Sequence, residues 1–171
     1  MKRYRILALL LAFALTLPLA ACGKSANEKT TRYEKDGIAV TMRGGCVESD
    51  VDGTVLYLSW NDGSDKGAFL ANGESFDMFR EAGLDPETTT LEDYAEMCID
   101  TAGVDSAPES DEYGNVCFSY TYDNDGETYF YYDVVKKGSD AFWICNFVCL
   151  DAQRDEYEPL FAEWAASIEV E

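Results

Sequence analysis

Ten consecutive residues, 141–150, carry no charge and are apolar on both of their alternating faces. Ala141, Trp143, Cys145, Phe147 and Cys149 share one face. Phe142, Ile144, Val148 and Leu150 share the other, where Asn146 is the only polar member. A strand apolar on both faces has to be buried on both. A sheet with one wet face is therefore excluded, and the rest of the chain must supply two covers.

The candidates for those covers are helices. Residues 156–168 place Tyr157, Leu160, Phe161, Trp164 and Ile168 on one stripe, with Pro159 expected in the first turn, where a missing N–H matters little. Leu91–Ala102 is a second helix: Thr90 is its N-cap, Asp93 completes a shortened capping box, and Gly103 stops it. A short helix is expected over 74–82, with Phe76 and Phe79 together. Alternation predicts strands over 37–43, 54–60, 66–70, 116–122 and 127–136. Asp123-Asn124-Asp125-Gly126 turns the 116–136 hairpin. The expected fold class is α+β: one domain, 37–171, with an antiparallel sheet covered by helices on both faces.

Three stretches resemble the PsbP-like α/β/α sandwich family, which includes small bacterial lipoproteins of the DcrB and LpqN type. They are Gly37-Ile38-Ala39-Val40-Thr41-Met42, Thr90-Leu91-Glu92-Asp93-Tyr94-Ala95, and the ending. The ending runs Asp140-Ala141-Phe142-Trp143, then Tyr157, Phe161, Trp164, Ala165, Ser167 and Ile168. The resemblance rests on core positions. It implies the sandwich fold and carries no catalytic motif. Photosynthetic members assist a metal cluster and other relatives bind protein partners; nothing in this chain points to photosynthesis.

The N-terminus reads as an address. Lys2, Arg3 and Arg5 precede an apolar run over 6–19 that ends in Leu19-Ala20-Ala21-Cys22. This is a secretory signal, and the run is short for a membrane span. The ending resembles the bacterial lipobox, which implies a diacylglyceryl group on Cys22 and a mature chain starting there. Residues 1–21 are then the signal peptide and 22–36 a polar, lipidated tether. The expected location is the outer face of the bacterial cytoplasmic membrane or the cell surface, held by the lipid anchor.

Charge narrows function further. Thirteen Lys and Arg stand against thirty-three Asp and Glu, a net of −20. Residues 37–171 hold six of the basic and thirty of the acidic residues. Such a surface repels phosphate backbones, so nucleic acid is not an expected partner. Without a single His, no Ser-His-Asp triad, Cys-His pair or His-ligated metal can form. Paired carboxylates suit glycoside hydrolysis, but with so many acids some pair always lies at a suitable distance. A non-enzymatic module binding a protein or envelope partner is the main expectation, with a carboxylate enzyme a distant alternative.

Two features carry alternatives. Asp123 and Asp125 invite calcium, but EF-hand spacing would put Thr121 and Tyr132 at ligand positions, so hairpin chemistry is the simpler reading. Asp50-Val51-Asp52-Gly53 and Asn61-Asp62-Gly63 divide in the same way. No cofactor is expected beyond the lipid on Cys22 and, on the alternative reading, calcium or a small solute. The second feature is a tyrosine-rich hairpin. If Tyr122 faces Glu127, then Tyr120 faces Tyr129 and Phe118 faces Tyr131, with Asp133 at the end of the patch. Tyr120, Tyr129 and Tyr131 then either bind a sugar or peptide or lie in the core under a helix. Cys46, Cys98, Cys117, Cys145 and Cys149 are odd in number, so at least one is free or pairs between chains; several read as buried thiols, with one bridge through Cys46 or Cys98 as the alternative. Cys145 and Cys149 are too far apart along one strand to pair.

Overall fold

The computed structural model describes residues 30–63 and 65–171. The expected signal peptide over 1–21, Cys22 and the tether up to residue 29 lie outside the described residues.

The doubly apolar segment forms the strand Ala141–Leu150, and it lies at the centre of a seven-stranded antiparallel sheet. In chain order the described strands are β1 (Thr30–Lys35), β2 (Ile38–Arg43), β3 (Val47–Glu48), β4 (Leu56–Asn61) and β5 (Lys66–Ser75). They continue with β6 (Glu109–Ser110), β7 (Val116–Asn124), β8 (Glu127–Lys137), β9 (Ala141–Leu150) and β10 (Glu169–Val170). The large sheet has the order β3-β4-β5-β9-β8-β7-β6. Its two edge strands are two residues long, which leaves little unpaired backbone to template another chain. All but one residue of β9 is buried.

Each face of β9 has its own cover. Trp143, Cys145, Phe147 and Cys149 pack with Leu56, Leu58, Trp60 and Phe69. Over them lies the helix α3 (Arg154–Ala166), through Tyr157, Phe161, Trp164 and Ala165. Burying one such large side chain contributes ~2 kcal/mol, so this stripe fixes the helix on the sheet. On the opposite face Phe142 and Ile144 meet α1 (Phe76–Glu81) and α2 (Leu91–Ala102). There Phe142 contacts the rings of Phe76, Phe79 and Tyr94 at centroid distances of 5.3, 4.8 and 4.9 Å. The architecture is α+β, an antiparallel sheet between helices, as the two-faced strand requires.

α2 has its expected bounds. Thr90 Oγ1 accepts from the Asp93 N–H at 3.1 Å and the Asp93 carboxylate accepts from the Thr90 N–H at 3.0 Å. Gly103 closes it at φ +66°. α3 starts earlier than the stripe suggests, behind a 3₁₀ turn at Asp151–Gln153. Pro159 consequently lies inside the helix rather than in its first turn.

Two further differences concern the N-terminal side. The strand over 37–43 does not join the large sheet: β2 is the centre of a separate three-stranded sheet, β1-β2-β10. Its Ile38, Val40 and Met42 enter the same cluster as α3, so that face is covered by a helix and a small sheet together. The residues read as tether do not stay free up to residue 36. Thr30–Lys35 pairs with β2 along its whole length, from Thr30↔Arg43 to Lys35↔Ile38. Asp36, at φ +44°, and Gly37, at φ +89°, make the tight turn that allows this pairing. Ser167, in the terminal Ser-Ile pair, joins α3 to the small sheet: its Oγ accepts from the Thr41 N–H at 2.8 Å.

Candidate interaction site

The hairpin β7–β8 turns on Asp125 and Gly126 alone. Their φ values of +51° and +84° supply the two left-handed residues of a two-residue turn. Asn124 therefore faces Glu127, and the register differs by two residues from the expected one. Tyr122 faces Tyr129, Tyr120 faces Tyr131, and Phe118 faces Asp133. A shift of two leaves every side chain on its face. The tyrosines still gather on the side of the sheet that α1 and α2 cover, but with different partners.

Those partners make a ladder of rings. Tyr120 and Tyr131 stack at 4.9 Å with their planes 4° apart, and Phe118 lies 6.2 Å from Tyr120. The helix-built cluster reaches Tyr120 and ends there; Tyr129, Tyr131, Val148 and Tyr57 belong to neither core cluster. Tyr122 is exposed, Tyr120 and Tyr131 are half-buried, and Tyr129 is buried. Burial first, then the charges of Asp133, Tyr129, Tyr122 and Tyr57, push the Tyr131 pKa up to about 12. At the far rim the Tyr129 hydroxyl donates to Glu127 at 2.8 Å, and Lys66 pairs with the same carboxylate at 3.4 Å.

At the inner end lies Asp133, with no exposed surface. It is opposite Asn146, the one polar residue of β9. Neither Asp133 carboxylate oxygen has a hydrogen-bond partner, nor does Asn146 Nδ2 or the Tyr94 hydroxyl on α2. Burial pushes the Asp133 carboxyl up to about 7, against a downward pull from Asn146 and Tyr120. Cys98 of α2 is pushed up by burial and by Glu74. Asn146 was the visible signal for this spot: a lone amide on an apolar face needs a polar neighbour, and the register puts Asp133 beside it.

The other candidate residues have partners within the fold. The Asp123 carboxylate accepts from Thr128 Oγ1 at 2.6 Å, and Asp125 forms the turn. Among the described residues no group of three or more Cys, Asp or Glu is placed to hold a metal ion. Asp62 and Asp65 do hold a cation, the chain's own Arg43. Its guanidinium donates to Asp62 at 2.7 Å, Asp65 at 2.8 Å and the Tyr157 hydroxyl at 2.6 Å, and lies 5.3 Å from the Trp60 ring centre. Burial pushes Asp65 up, but the hydrogen bonds from Tyr157 and Arg43 and the Arg43 charge outweigh it and hold the carboxyl below its usual range. Asp50 pairs with Lys35 at 2.9 Å. Cys98, Cys117, Cys145 and Cys149 are buried free thiols, so the bridge through Cys98 does not form.

No family model matches the chain, and no curated protein matches it. Among solved structures it is similar to the solution structure of cyanobacterial PsbP (CyanoP) from Synechocystis sp. PCC 6803. That likeness has 17% identity and a TM-score of 0.44 over 90% of this chain and 99% of that one. It is also similar to a crystal structure from Bacteroides thetaiotaomicron VPI-5482, at 10% identity and a TM-score of 0.50. That match covers 78% of this chain and 45% of the other, so this chain spans less than half of that protein's length. The second likeness concerns the fold alone. The antiparallel sheet between helices is seen directly in the strand order and the two core clusters.

Proposed function

We propose that this chain is a non-enzymatic interaction module, lipid-anchored at Cys22 outside the bacterial cytoplasmic membrane, that binds a protein or envelope partner. The observation that carries this reading is the tyrosine-lined end of the sheet, where the helix-built cluster stops at Tyr120 while Tyr122 and the partly exposed Tyr131 continue beyond it. Tyrosines are well suited to contact because they bring large, stiff area with a polar tip. The anchor follows from the lipobox-like Leu19-Ala20-Ala21-Cys22. Among the described residues no helix is long and apolar enough to cross a membrane.

Two measurements test the reading. A clickable palmitate analogue should label the full chain and keep it in the membrane fraction, and Cys22→Ala should abolish both. A photo-crosslinker placed at position 122 should yield a discrete adduct in membranes, and one at position 113 should not. Tyr113 and Tyr122 are equally suitable sites, at 51% and 47% exposure. Equal adducts from both positions would count against the tyrosine end as the interaction surface.

A further inference from the structure

We propose that the tyrosine-lined end of the sheet takes an organic ammonium group, seated on the Tyr120–Tyr131 rings with the Asp133 carboxylate behind them as its counter-ion. This deepens the interaction-module reading and rests on it.

The first argument is an unmet need. A buried carboxylate is ordinarily paired with a cation or held by several donors. Asp133 is fully buried and neither oxygen is bonded. The groups facing it are Tyr120 from β7, Tyr131 from its own strand, Asn146 from β9 and Cys98 from α2, with Tyr94 and Glu74 beyond Cys98. None of these is a cation. The second argument is the lining. Ring faces attract cations, and the Tyr120–Tyr131 pair is only half-buried and stands next to the Phe118–Asp133 pair on the same face of the hairpin. The third is charge. All six basic residues of 37–171 are engaged within the fold. Arg43 is caged by Asp62 and Asp65; Lys66, Arg80 and Arg154 pair with Glu127, Asp77 and Glu158; Lys136 and Lys137 donate to Asn115 and to the Pro86 carbonyl. Thirty acidic residues stand against those six, so cations are drawn to the domain and anions are turned away. A neutral sugar would gain the rings but leave the carboxylate unanswered.

The test is a titration of the full chain in detergent with n-butylammonium chloride, followed by the ring NMR signals of Tyr120 and Tyr131. Sodium chloride at equal ionic strength and n-butanol are the controls. The expected result is a saturable shift of both rings that spares Tyr113, weakens at least tenfold in Asp133→Asn, and weakens at pH 5.5 relative to pH 8. A shift reproduced by sodium or butanol, or one undiminished in Asp133→Asn, would overturn the proposal. Should Asp133→Asn not fold, Tyr131→Leu decides, because loss of the ring must also weaken binding tenfold. A capped Ala-Lys-Ala peptide binding more tightly than butylammonium assigns the ammonium to a lysine of a polypeptide; equal or weaker binding assigns it to a free amine. Both outcomes uphold the site. If no ammonium binds while the crosslinker at position 122 still captures a discrete partner, this inference alone falls.

Discussion

Asp133 and Asp65 are acids in the same protein that shift stability with pH in opposite directions. Asp133, raised by burial from 3.8 to about 7, keeps a proton in the folded state that the unfolded chain has lost between those values. Stability therefore falls as pH rises from about 4 to 7 and loses nothing more from this group above that. Asp65 is held below its usual range, so its contribution is present above the ordinary value and disappears as pH falls through the folded one. Urea unfolding should show Asp133→Asn gaining on the order of 2 kcal/mol over the native chain at pH 8 and little at pH 4. An equal gain at both values would mean that the carboxylate is not the cause. Arg43→Ala should lose about 3 kcal/mol, because it leaves Asp65 between Tyr157 and Trp60 without its cation. Asn146 is the one sequence signal for the Asp133 spot, and the Arg43 role is not legible in the sequence. Arg43 is the last residue of a strand whose partner loop lies far along the chain, and only the folded register brings Asp62 and Asp65 to it.

Elements were legible in proportion to how local their determinants are. α2 could be bounded to the residue because Thr90, Asp93 and Gly103 settle its ends within one turn. β9 could be placed because its two apolar faces need no partner to be recognised. β5 has ten residues where the sequence predicts five, because Asn72, Gly73 and Glu74 look like a loop and the covering elements are distant in sequence. β1 is not legible as a strand, because its side chains are mostly exposed and only its backbone pairing holds it. The hairpin register slipped by two because the turn uses two residues where four were polar enough to serve. Gly67 in β5 shows what local rules miss: a Cβ there would strike the Trp60 ring and the Val148 carbonyl. Gly67→Ala should destabilise the protein by about 2 kcal/mol in thermal or urea unfolding, although alanine is no worse a strand residue than glycine.

At the scale of the molecule, the sheet is covered by different means on its two faces. On one side α3 and the small sheet share the task, and Ser167 joins them. On the other, α1 and α2 build a cluster that ends at Tyr120. The asymmetry leaves the Tyr129–Tyr131 end of the second face outside that cluster, and composition alone does not locate it. The acidic loops are occupied in other ways, by the hairpin turn at Asp125, by Lys35 at Asp50 and by Arg43 at Asp62 and Asp65. Calcium should therefore raise the melting temperature of the full chain no further than screening of its negative charge does. Equal shifts in calcium and in sodium of matched ionic strength are the expected outcome. An extra calcium-specific rise that disappears in Asp123→Asn would reinstate a metal site.

The central claim, that the tyrosine end of the sheet is accessible beyond α2, is tested most directly by nitrating the purified full chain and mapping the modified tyrosines by mass spectrometry. Tyr113 and Tyr122 should react first, Tyr120 and Tyr131 more slowly, and Tyr94, at 1% exposure, not until the chain unfolds. If Tyr120 and Tyr131 are as protected as Tyr94, this end of the sheet is covered and the account of the site is wrong.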